Sequence, residues 1–172
     1  MIDGTVYHDS AHADADERKS TTFHCFSLSQ DSGAIEHHCS TTDVVVVSAY
    51  EAETLSASNS VDSVLSTQAC AKDLGLNELY ENGTKLYGDN LCNIKWMNDE
   101  IVPKRARNVA IRHYAVKHRV QDGTIKPSWV KGEDNPADLG TKLLDGPTTR
   151  RHSAHIMGHH LLKGSKYPGL FL

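Results

Sequence analysis

Hydrophobic and polar positions along the chain predict a mixture of strands and helices. Residues 4–7, 21–28 and 34–38 are short runs with strand-forming side chains, and turn residues at 30–33 separate the last two runs. These three runs predict three antiparallel strands at the start of the chain. Residues 85–88 predict a fourth strand.

A fifth strand is predicted at residues 125–130. Pro127 lies inside this run, and because proline cannot donate a backbone hydrogen bond, we expect the strand at an edge of the sheet. The fourth strand is reached through a long helix, so it is expected to lie parallel to the first strand.

The long helix is predicted to begin near Ser48 and to run to about residue 74. Ser48 can cap the helix with its side-chain oxygen, and Glu51, three residues later, completes a capping-box pattern. Gly75 is the residue type that commonly ends a helix. Further helices are predicted at residues 91–97 and 108–120.

A last helix is predicted to begin at Asn135 and Pro136, a capping residue followed by the residue favoured in the first turn. The predicted fold class is therefore α/β. It consists of a mixed five-stranded sheet, with three antiparallel strands followed by two parallel strands, flanked by helices.

The length of 172 residues suits one domain with its own core. We assign residues 1–144 to this domain and residues 145–172 to a polar, histidine-rich C-terminal tail that is expected to be partly disordered. The net charge of −4 argues against a generally basic nucleic-acid-binding protein. Basic residues are nevertheless concentrated in two segments, 104–119 and 150–166, so contact with nucleic acid stays open.

Cysteine usage and hydropathy indicate the cellular compartment. The four cysteines form no Cys-x-x-Cys pair, which favours free thiols in an intracellular protein. No apolar run approaches the length of a membrane span, and the first residues lack the pattern of a signal peptide. We therefore expect an intracellular protein with no membrane partner.

Four acidic residues lie at the ends of predicted strands or at the starts of predicted helices. They are Asp9, Glu51, Asp89 and Asp138. Sites in open α/β sheets gather at the carboxyl ends of strands, beside helix termini. Carboxylates gathered there would repel one another, and two Mg²⁺ ions, hard cations that prefer oxygen ligands, would relieve the repulsion.

Each of these acids also has a structural explanation. The two strand-end aspartates can be turn residues, Glu51 can be a capping-box member, and Asp138 can be favoured by the helix dipole. The order of elements together with the four acidic positions is nevertheless the order of the ribonuclease H fold.

Sequence motifs around the acids resemble those of copia-type retrotransposon ribonuclease H domains. Residues 9–13 and 18–22 resemble the family's Asp-Ala-Asp-Trp-Ala and Arg-Lys-Ser-Thr-Ser, and residues 48–53 its Ser-Ser-Thr-Glu-Ala-Glu. Residues 88–90, 111–114, 122–125 and 129–142 resemble the family's Asp-Asn turn, its Ile-Arg-Tyr-His helix, the turn into its last strand, and its Ala-Asp-Ile-Phe-Thr-Lys ending. These matches run in order from about residue 7 to residue 144.

The chain departs from the family pattern at four places. His12 replaces a tryptophan, Thr54 replaces a tyrosine, and residues 37–42 and 107–110 differ from the family's usual stretches. These positions concern packing and nucleic-acid contact rather than the four acids.

The resemblance implies an endonuclease that cleaves the RNA strand of RNA–DNA hybrids by two-metal-ion catalysis, as part of a Pol polyprotein. Asp9, Glu51, Asp89 and Asp138 would be both the catalytic residues and the metal ligands. The implied cofactor is a pair of Mg²⁺ ions, which Mn²⁺ can replace. The implied partners are the hybrid and the reverse transcriptase domain of the same polyprotein, in a cytoplasmic virus-like particle with access to the nucleus.

Two other functions fit the same fold. One is a catalytically inactive module that only binds nucleic acid or a reverse transcriptase partner. The other is a DNA-cutting integrase or transposase, whose last carboxylate is expected to be a glutamate in a long helix, which Asp138 does not match.

A group of basic residues is predicted to contact the phosphate backbone of the hybrid. Its members are Lys104, Arg105, Arg107, Arg112, Lys117 and Arg119. The alternative is an ordinary solvated helix face. Glu133, in the loop before the last acid, is predicted to assist product release or proton transfer.

The pair Glu51 and Glu53 requires a choice. Two positions along a helix differ by about 200°, so only one of these side chains is expected to face the sheet. Glu51 shares a face with Leu55 and Leu65, and by resemblance it matches the family's metal-binding glutamate. Glu53 is accordingly expected to be exposed.

Overall fold

The computed structural model describes residues 3–30, 32–76, 80–98 and 110–158. Its strands are β1 (Thr5–Ala11), β2 (Thr21–Ser27), β3 (Ala34–Thr41), β4 (Thr84–Gly88) and β5 (Ile125–Trp129). Its α-helices are α1 (Ala49–Asp73), α2 (Leu91–Asn98), α3 (Ala110–Gln121) and α4 (Gly146–Ile156).

The five strands form one mixed sheet in the order β3-β2-β1-β4-β5. The first three strands pair antiparallel, whereas β4 is parallel to β1 and β5 is parallel to β4. The predicted sheet is therefore confirmed. Pro127 lies on β5, which pairs only with β4 at the edge of the sheet. Its missing N–H group is tolerated there because the other side of the strand has no neighbouring strand to bond.

The two faces of the sheet are covered by different helices, because side chains alternate along each strand. Val6, Phe26 and Leu86 belong to the main core, together with residues of α1, α2 and α3. On the opposite face, Tyr7 stacks on Tyr87 with 5.1 Å between ring centroids, and His155 of α4 meets Tyr7 edge-on at 5.4 Å.

Helix α1 approaches the sheet through small polar residues. Ser56 and Ser60 are fully buried, and the Ser56 hydroxyl donates a 2.8 Å hydrogen bond to the Asp9 carbonyl oxygen. This packing explains why α1 has no clean apolar stripe in the sequence. It also fixes the helix against the strand that carries the first predicted site residue.

The predicted last helix is shorter than expected. Asn135 accepts a hydrogen bond from the Ala137 N–H with its side chain, but the segment Pro136–Gly140 is a single stretch of 3-10 helix. The longer helix α4 begins later, where Asp145 accepts a hydrogen bond from the Thr148 N–H.

The start of the predicted C-terminal tail is helical and packs against the rest of the molecule. Helix α4 packs beside the 3-10 helix, and His152 is 3% exposed. The sequence of α4 is polar and rich in histidine, so the pattern of hydrophobic positions does not predict this packing. Residues 159–172 lie outside the described part of the chain, and the boundary at residue 144 stays a prediction.

No helix in the described part of the chain is both long enough and apolar enough to cross a membrane.

Candidate metal centre

Three of the four predicted acids converge at one edge of the sheet. Asp9 lies near the end of β1, Asp89 directly follows β4, and Asp138 lies in the 3-10 helix after β5. Because β1 and β4 are parallel neighbours, their carboxyl ends meet at the same edge. Each aspartate offers a carboxylate oxygen, and these oxygens all lie within 4.8 Å of one another.

A buried asparagine places Asp138 in this group. The side-chain N–H of Asn135 donates a 3.0 Å hydrogen bond to the His8 carbonyl oxygen, in the residue directly before Asp9. The side-chain oxygen of Asn135 accepts from the Ala137 N–H. One side chain thus ties the start of the 3-10 helix to β1 and holds Asp138 opposite Asp9.

Glu51 does not join the cluster, which corrects the prediction. Its carboxylate accepts a 2.9 Å hydrogen bond from the Val47 N–H, while its own N–H donates to the Ser48 hydroxyl. These are capping interactions at the start of α1. The carboxylate of Glu51 therefore bonds to the backbone that precedes its own helix and not to the other acids.

Glu53 is the glutamate that reaches the acidic region, although it was expected to be exposed. One of its carboxylate oxygens accepts from the Ser10 N–H at 3.2 Å and from the Ser10 hydroxyl at 2.8 Å. The other oxygen lies 3.5 Å from Nδ1 of His8. Burial, with the nearby Asp9 carboxylate as the next cause, raises the pKa of Glu53 to about 8.

Only one of the two glutamates faces the sheet, but it is Glu53, and the other is buried as well because α1 is covered on two sides near its start. Both glutamates are 5% exposed. Strand β1 covers the side of Glu53, whereas Val46 packs with Ala52 and Leu55 on another side. One sequence signal could have identified Glu53: it shares a helix face with the serines three and seven residues later, which indicate close approach to the sheet.

Lys142 is a member of the cluster that the sequence analysis did not assign. Its ammonium lies 2.7 Å from Oδ1 of Asp138, 3.4 Å from Oδ1 of Asp9 and 3.5 Å from Oδ2 of Asp89. The Thr141 hydroxyl donates a hydrogen bond to the other carboxylate oxygen of Asp9. The sequence signal for Lys142 is its position four residues after Asp138, one helical turn away.

The electrostatics of the cluster reflect burial and crowding. Burial is the main cause that raises the pKa of Asp9 to about 6; the Thr141 hydrogen bond and Lys142 lower it, while Asp138 and Asp89 raise it. Burial lowers the pKa of Lys142, but the hydrogen bond to Asp138 and the surrounding carboxylates outweigh burial and raise it. Negative charge therefore exceeds positive charge at this edge.

A neutral histidine lies behind the cluster. Burial is the main cause that lowers the pKa of His8 to about 3, with a smaller contribution from His24. His8 consequently stays uncharged at neutral pH and forms no ion pair with Glu53.

The donor set suits a hard divalent cation. All converging groups are carboxylates, and Mg²⁺ and Mn²⁺ prefer oxygen ligands. The raised pKa of the buried Asp9 indicates that its charge is incompletely compensated by Lys142 and Thr141. An added cation would supply the missing compensation.

The predicted phosphate-contacting residues do not form a single surface within the described residues. Arg112 is exposed on α3 and lines a groove with residues of β3 and α1. Lys117 is 7% exposed and holds its ammonium 4.8 Å from the centre of the Trp96 ring, a cation–π contact that directs it into the protein. Arg119 pairs with Asp122 at 3.0 Å. The other three, Lys104, Arg105 and Arg107, lie outside the described residues.

Glu133 is exposed and pairs with Lys131 in the loop before the 3-10 helix. Its predicted role in product release or proton transfer stays a prediction.

One curated relative is similar to most of the chain. It is the retrovirus-related Pol polyprotein from transposon TNT 1-94 of Nicotiana tabacum, 26% identical over 131 residues. The alignment covers 76% of this chain but 10% of the polyprotein. No family model matches the chain.

Solved structures with the same fold are ribonucleases H. The N-terminal RNase H domain of a Mycobacterium tuberculosis protein matches with a TM-score of 0.57 and 11% identity, covering 89% of this chain and 97% of that chain. An RNase H1 isolated from compost by a metagenomic approach matches with a TM-score of 0.60 and 11% identity, covering 80% and 91%.

The same compost RNase H1 in complex with an RNA/DNA hybrid matches with a TM-score of 0.57 and 9% identity, over 80% of this chain and 92% of that chain. At such identities the likeness establishes the fold. The resemblance found in the sequence is confirmed: the chain is similar to a copia-type retrotransposon Pol polyprotein, and its fold is that of ribonuclease H.

Proposed function

We propose that this chain is the ribonuclease H module of a retrotransposon Pol polyprotein and that it cleaves the RNA strand of RNA–DNA hybrids. The observation that carries the proposal is the convergence of Asp9, Asp89 and Asp138 at the carboxyl ends of two parallel strands, within 4.8 Å of one another. The similarity to a Pol polyprotein and the ribonuclease H fold support the same function.

The three aspartates and Glu53 would hold the divalent cations, with Glu53 in place of Glu51. In this proposal the cofactor is a pair of Mg²⁺ ions, which Mn²⁺ can replace. Bound cations would stabilise the negative charge that develops on the attacked phosphate. Glu53 is proposed as the fourth ligand because its carboxylate is buried beside β1 and bonded to Ser10, the residue directly after Asp9.

Neighbouring residues of this chain orient the carboxylates. Thr141 holds one oxygen of Asp9, and Ser10 holds one oxygen of Glu53 through both its N–H and its hydroxyl. Asn135 fixes the 3-10 helix that carries Asp138. Such outer contacts keep ligand side chains in one rotamer and thereby reduce the reorganisation needed to bind a cation.

The proposed partners are the RNA–DNA hybrid and the reverse transcriptase domain of the same polyprotein. The aligned part is 10% of the relative, a Pol polyprotein, which is consistent with further domains. A neighbour of the same fold is bound to an RNA/DNA hybrid. We propose a cytoplasmic location, in a virus-like particle, with access to the nucleus.

A strand-specific cleavage assay tests this function. The full chain is incubated with a hybrid that carries different labels on its RNA and DNA strands, in Mg²⁺, in Mn²⁺ and in EDTA. We expect RNA fragments with either metal, no fragments in EDTA, and an intact DNA strand.

Two variants that make the same chemical change complete the assay. Asp9→Asn should lower the rate of cleavage by at least about a hundredfold. Replacing a residue that only hydrogen-bonds to a metal ligand can already lower activity by up to about a hundredfold, and Asp9 is proposed as a ligand itself. Asp62→Asn, on the exposed side of α1, should cleave like the wild type. Binding of the hybrid without cleavage in either metal would instead identify a catalytically inactive module.

A further inference from the structure

We propose that the Lys142 ammonium competes with divalent cations for the carboxylate cluster, so that metal binding displaces Lys142. The inference rests on the proposed function, since it concerns the same carboxylates. It assigns to Lys142 a positioning role: the lysine holds the aspartates together until a cation takes its place.

The position of the ammonium motivates the proposal. One nitrogen lies within 3.5 Å of all three aspartates, and the closest contact is the 2.7 Å hydrogen bond to Asp138. The oxygens of these same residues are the ones that lie within 4.8 Å of one another. Lys142 therefore occupies the point at which a cation could share all three ligands.

Coulomb repulsion makes the two occupants mutually exclusive. A divalent ion binding these carboxylates would lie in close contact with the ammonium, and the repulsion of like charges rises steeply at short range in a poorly solvated site. Both occupants also use the same carboxylate oxygens. A cation can therefore enter this group of ligands only when Lys142 leaves it.

The side chain of Lys142 is able to leave. It is 40% exposed, unlike the buried Asp9 that it contacts. The lysine follows the 3-10 helix and precedes the irregular stretch before α4, so its flexible stem can turn to solvent while the aspartates keep their places. Thr141 keeps its separate hydrogen bond to Asp9.

Metal affinity measured by calorimetry on the full chain tests this competition. We expect Lys142→Met to bind Mg²⁺ and Mn²⁺ about tenfold more tightly than the wild type, because no charge-assisted contacts must be broken first. Lys72→Met is the matched control: it makes the same change of charge at an exposed residue in the last turn of α1 and should leave the affinity unchanged.

Thermal unfolding provides a second readout. In EDTA, Lys142→Met should melt at a lower temperature than the wild type, because the three carboxylates lose the lysine ammonium that they share. At saturating Mg²⁺ the two melting temperatures should converge, since Lys142 is displaced in the wild type as well. A metal ion that binds only the folded state raises the melting temperature, so the melting temperatures report the same binding as calorimetry.

The wild-type chain gives a test that does not depend on a variant being folded. Selective NMR of the lysine ammonium groups, assigned through a labelled segment, should show the Lys142 signal moving toward that of solvated lysines as Mg²⁺ is added.

The outcomes separate this inference from the proposed function. Equal or weaker metal binding by Lys142→Met, together with normal binding by the wild type, would overturn the competition and leave the metal site intact. Absence of divalent binding in the wild type and in Lys142→Met would overturn both.

Discussion

The acidic cluster and the basic helix α3 differ in how their charged residues are held. Asp9, Asp89 and Asp138 come from three distant parts of the chain and meet at the edge where two parallel strands end. On α3, Lys117 packs against an aromatic ring and Arg119 pairs with a nearby aspartate, while Arg112 is exposed.

This difference shows which charge patterns a fold constrains. Strand ends are fixed by the hydrogen-bond ladder, so acids placed there must come together once the sheet forms. Charges along a helix are each free to find a local partner, and a run of basic residues therefore does not guarantee a common surface. We expect large functional effects at the cluster and small ones on α3.

The largest effect is expected from Glu53, and Glu51, two residues earlier in α1, is expected to have almost none. Glu53→Gln should lower the cleavage of a hybrid by at least about a hundredfold, because it removes a carboxylate beside Asp9 and keeps the side-chain volume. Glu51→Gln should cleave at close to the wild-type rate, because glutamine can still accept the Val47 N–H bond. The measurement is initial rate with saturating Mg²⁺.

These two variants form a matched pair, since both replace an equally buried glutamate in the same helix. Circular dichroism of each variant checks that the fold is kept. Loss of cleavage in Glu51→Gln with normal activity in Glu53→Gln would restore the assignment made from the sequence.

The sheet could be predicted from the sequence because its signals are local. Turn residues between short strands, a capping box at Ser48 and a glycine after the long helix each define one boundary. Pro127 adds the edge position of β5, since its missing N–H group excludes a central strand. Helix α4 also has a capping residue, Asp145, and a proline in its first turn, but its polar, histidine-rich sequence shows no apolar stripe.

The site could be predicted only in part. The place of each aspartate in the site could be predicted, because each lies at the end of a strand or in the first turn of a helix. The choice between Glu51 and Glu53 depends on what covers α1 from both sides, and helical periodicity says nothing about a second covering segment. The spacing of Lys142, four residues after Asp138, predicts contact with that aspartate, but its contacts with Asp9 and Asp89 depend on how the 3-10 helix packs beside β1.

An intermediate effect is expected on the pH dependence of stability. Burial and Asp9 raise the pKa of Glu53 from 4.5 to about 8 in the folded chain. The folded state therefore holds this proton more tightly than the unfolded state does. The stabilisation is fully present below about pH 4.5 and is lost as pH rises through about 8.

Urea unfolding in EDTA at pH 5 and pH 8 measures this loss. From pH 5 to pH 8, Glu53→Gln should lose less stability, or gain more, than the wild type. The difference should be a few kcal/mol at most, because a tenfold difference in proton affinity between the folded and unfolded states corresponds to about 1.4 kcal/mol. Asp9, with its pKa raised to about 6, acts in the same direction as Glu53, whereas His8 and His24, with pKa values lowered to about 3 and about 4, act in the opposite direction; all three remain in the variant. Equal changes in Glu53→Gln and the wild type would contradict a raised pKa of Glu53 in the folded state.

The smallest effect is expected on α3, where Arg112 and Lys117 give opposite predictions. Arg112 is exposed, so if it contacts the phosphate backbone, Arg112→Ala should reduce the slope of log Kd against log salt by about one. Lys117→Met should leave that slope unchanged, because the ammonium is directed toward Trp96. Fluorescence anisotropy of a labelled hybrid in EDTA over a range of KCl concentrations measures both slopes without cleavage. An unchanged slope in Arg112→Ala would leave this arginine on an ordinary solvated helix face, and a reduced slope in Lys117→Met would mean that the Trp96 contact opens when the hybrid binds.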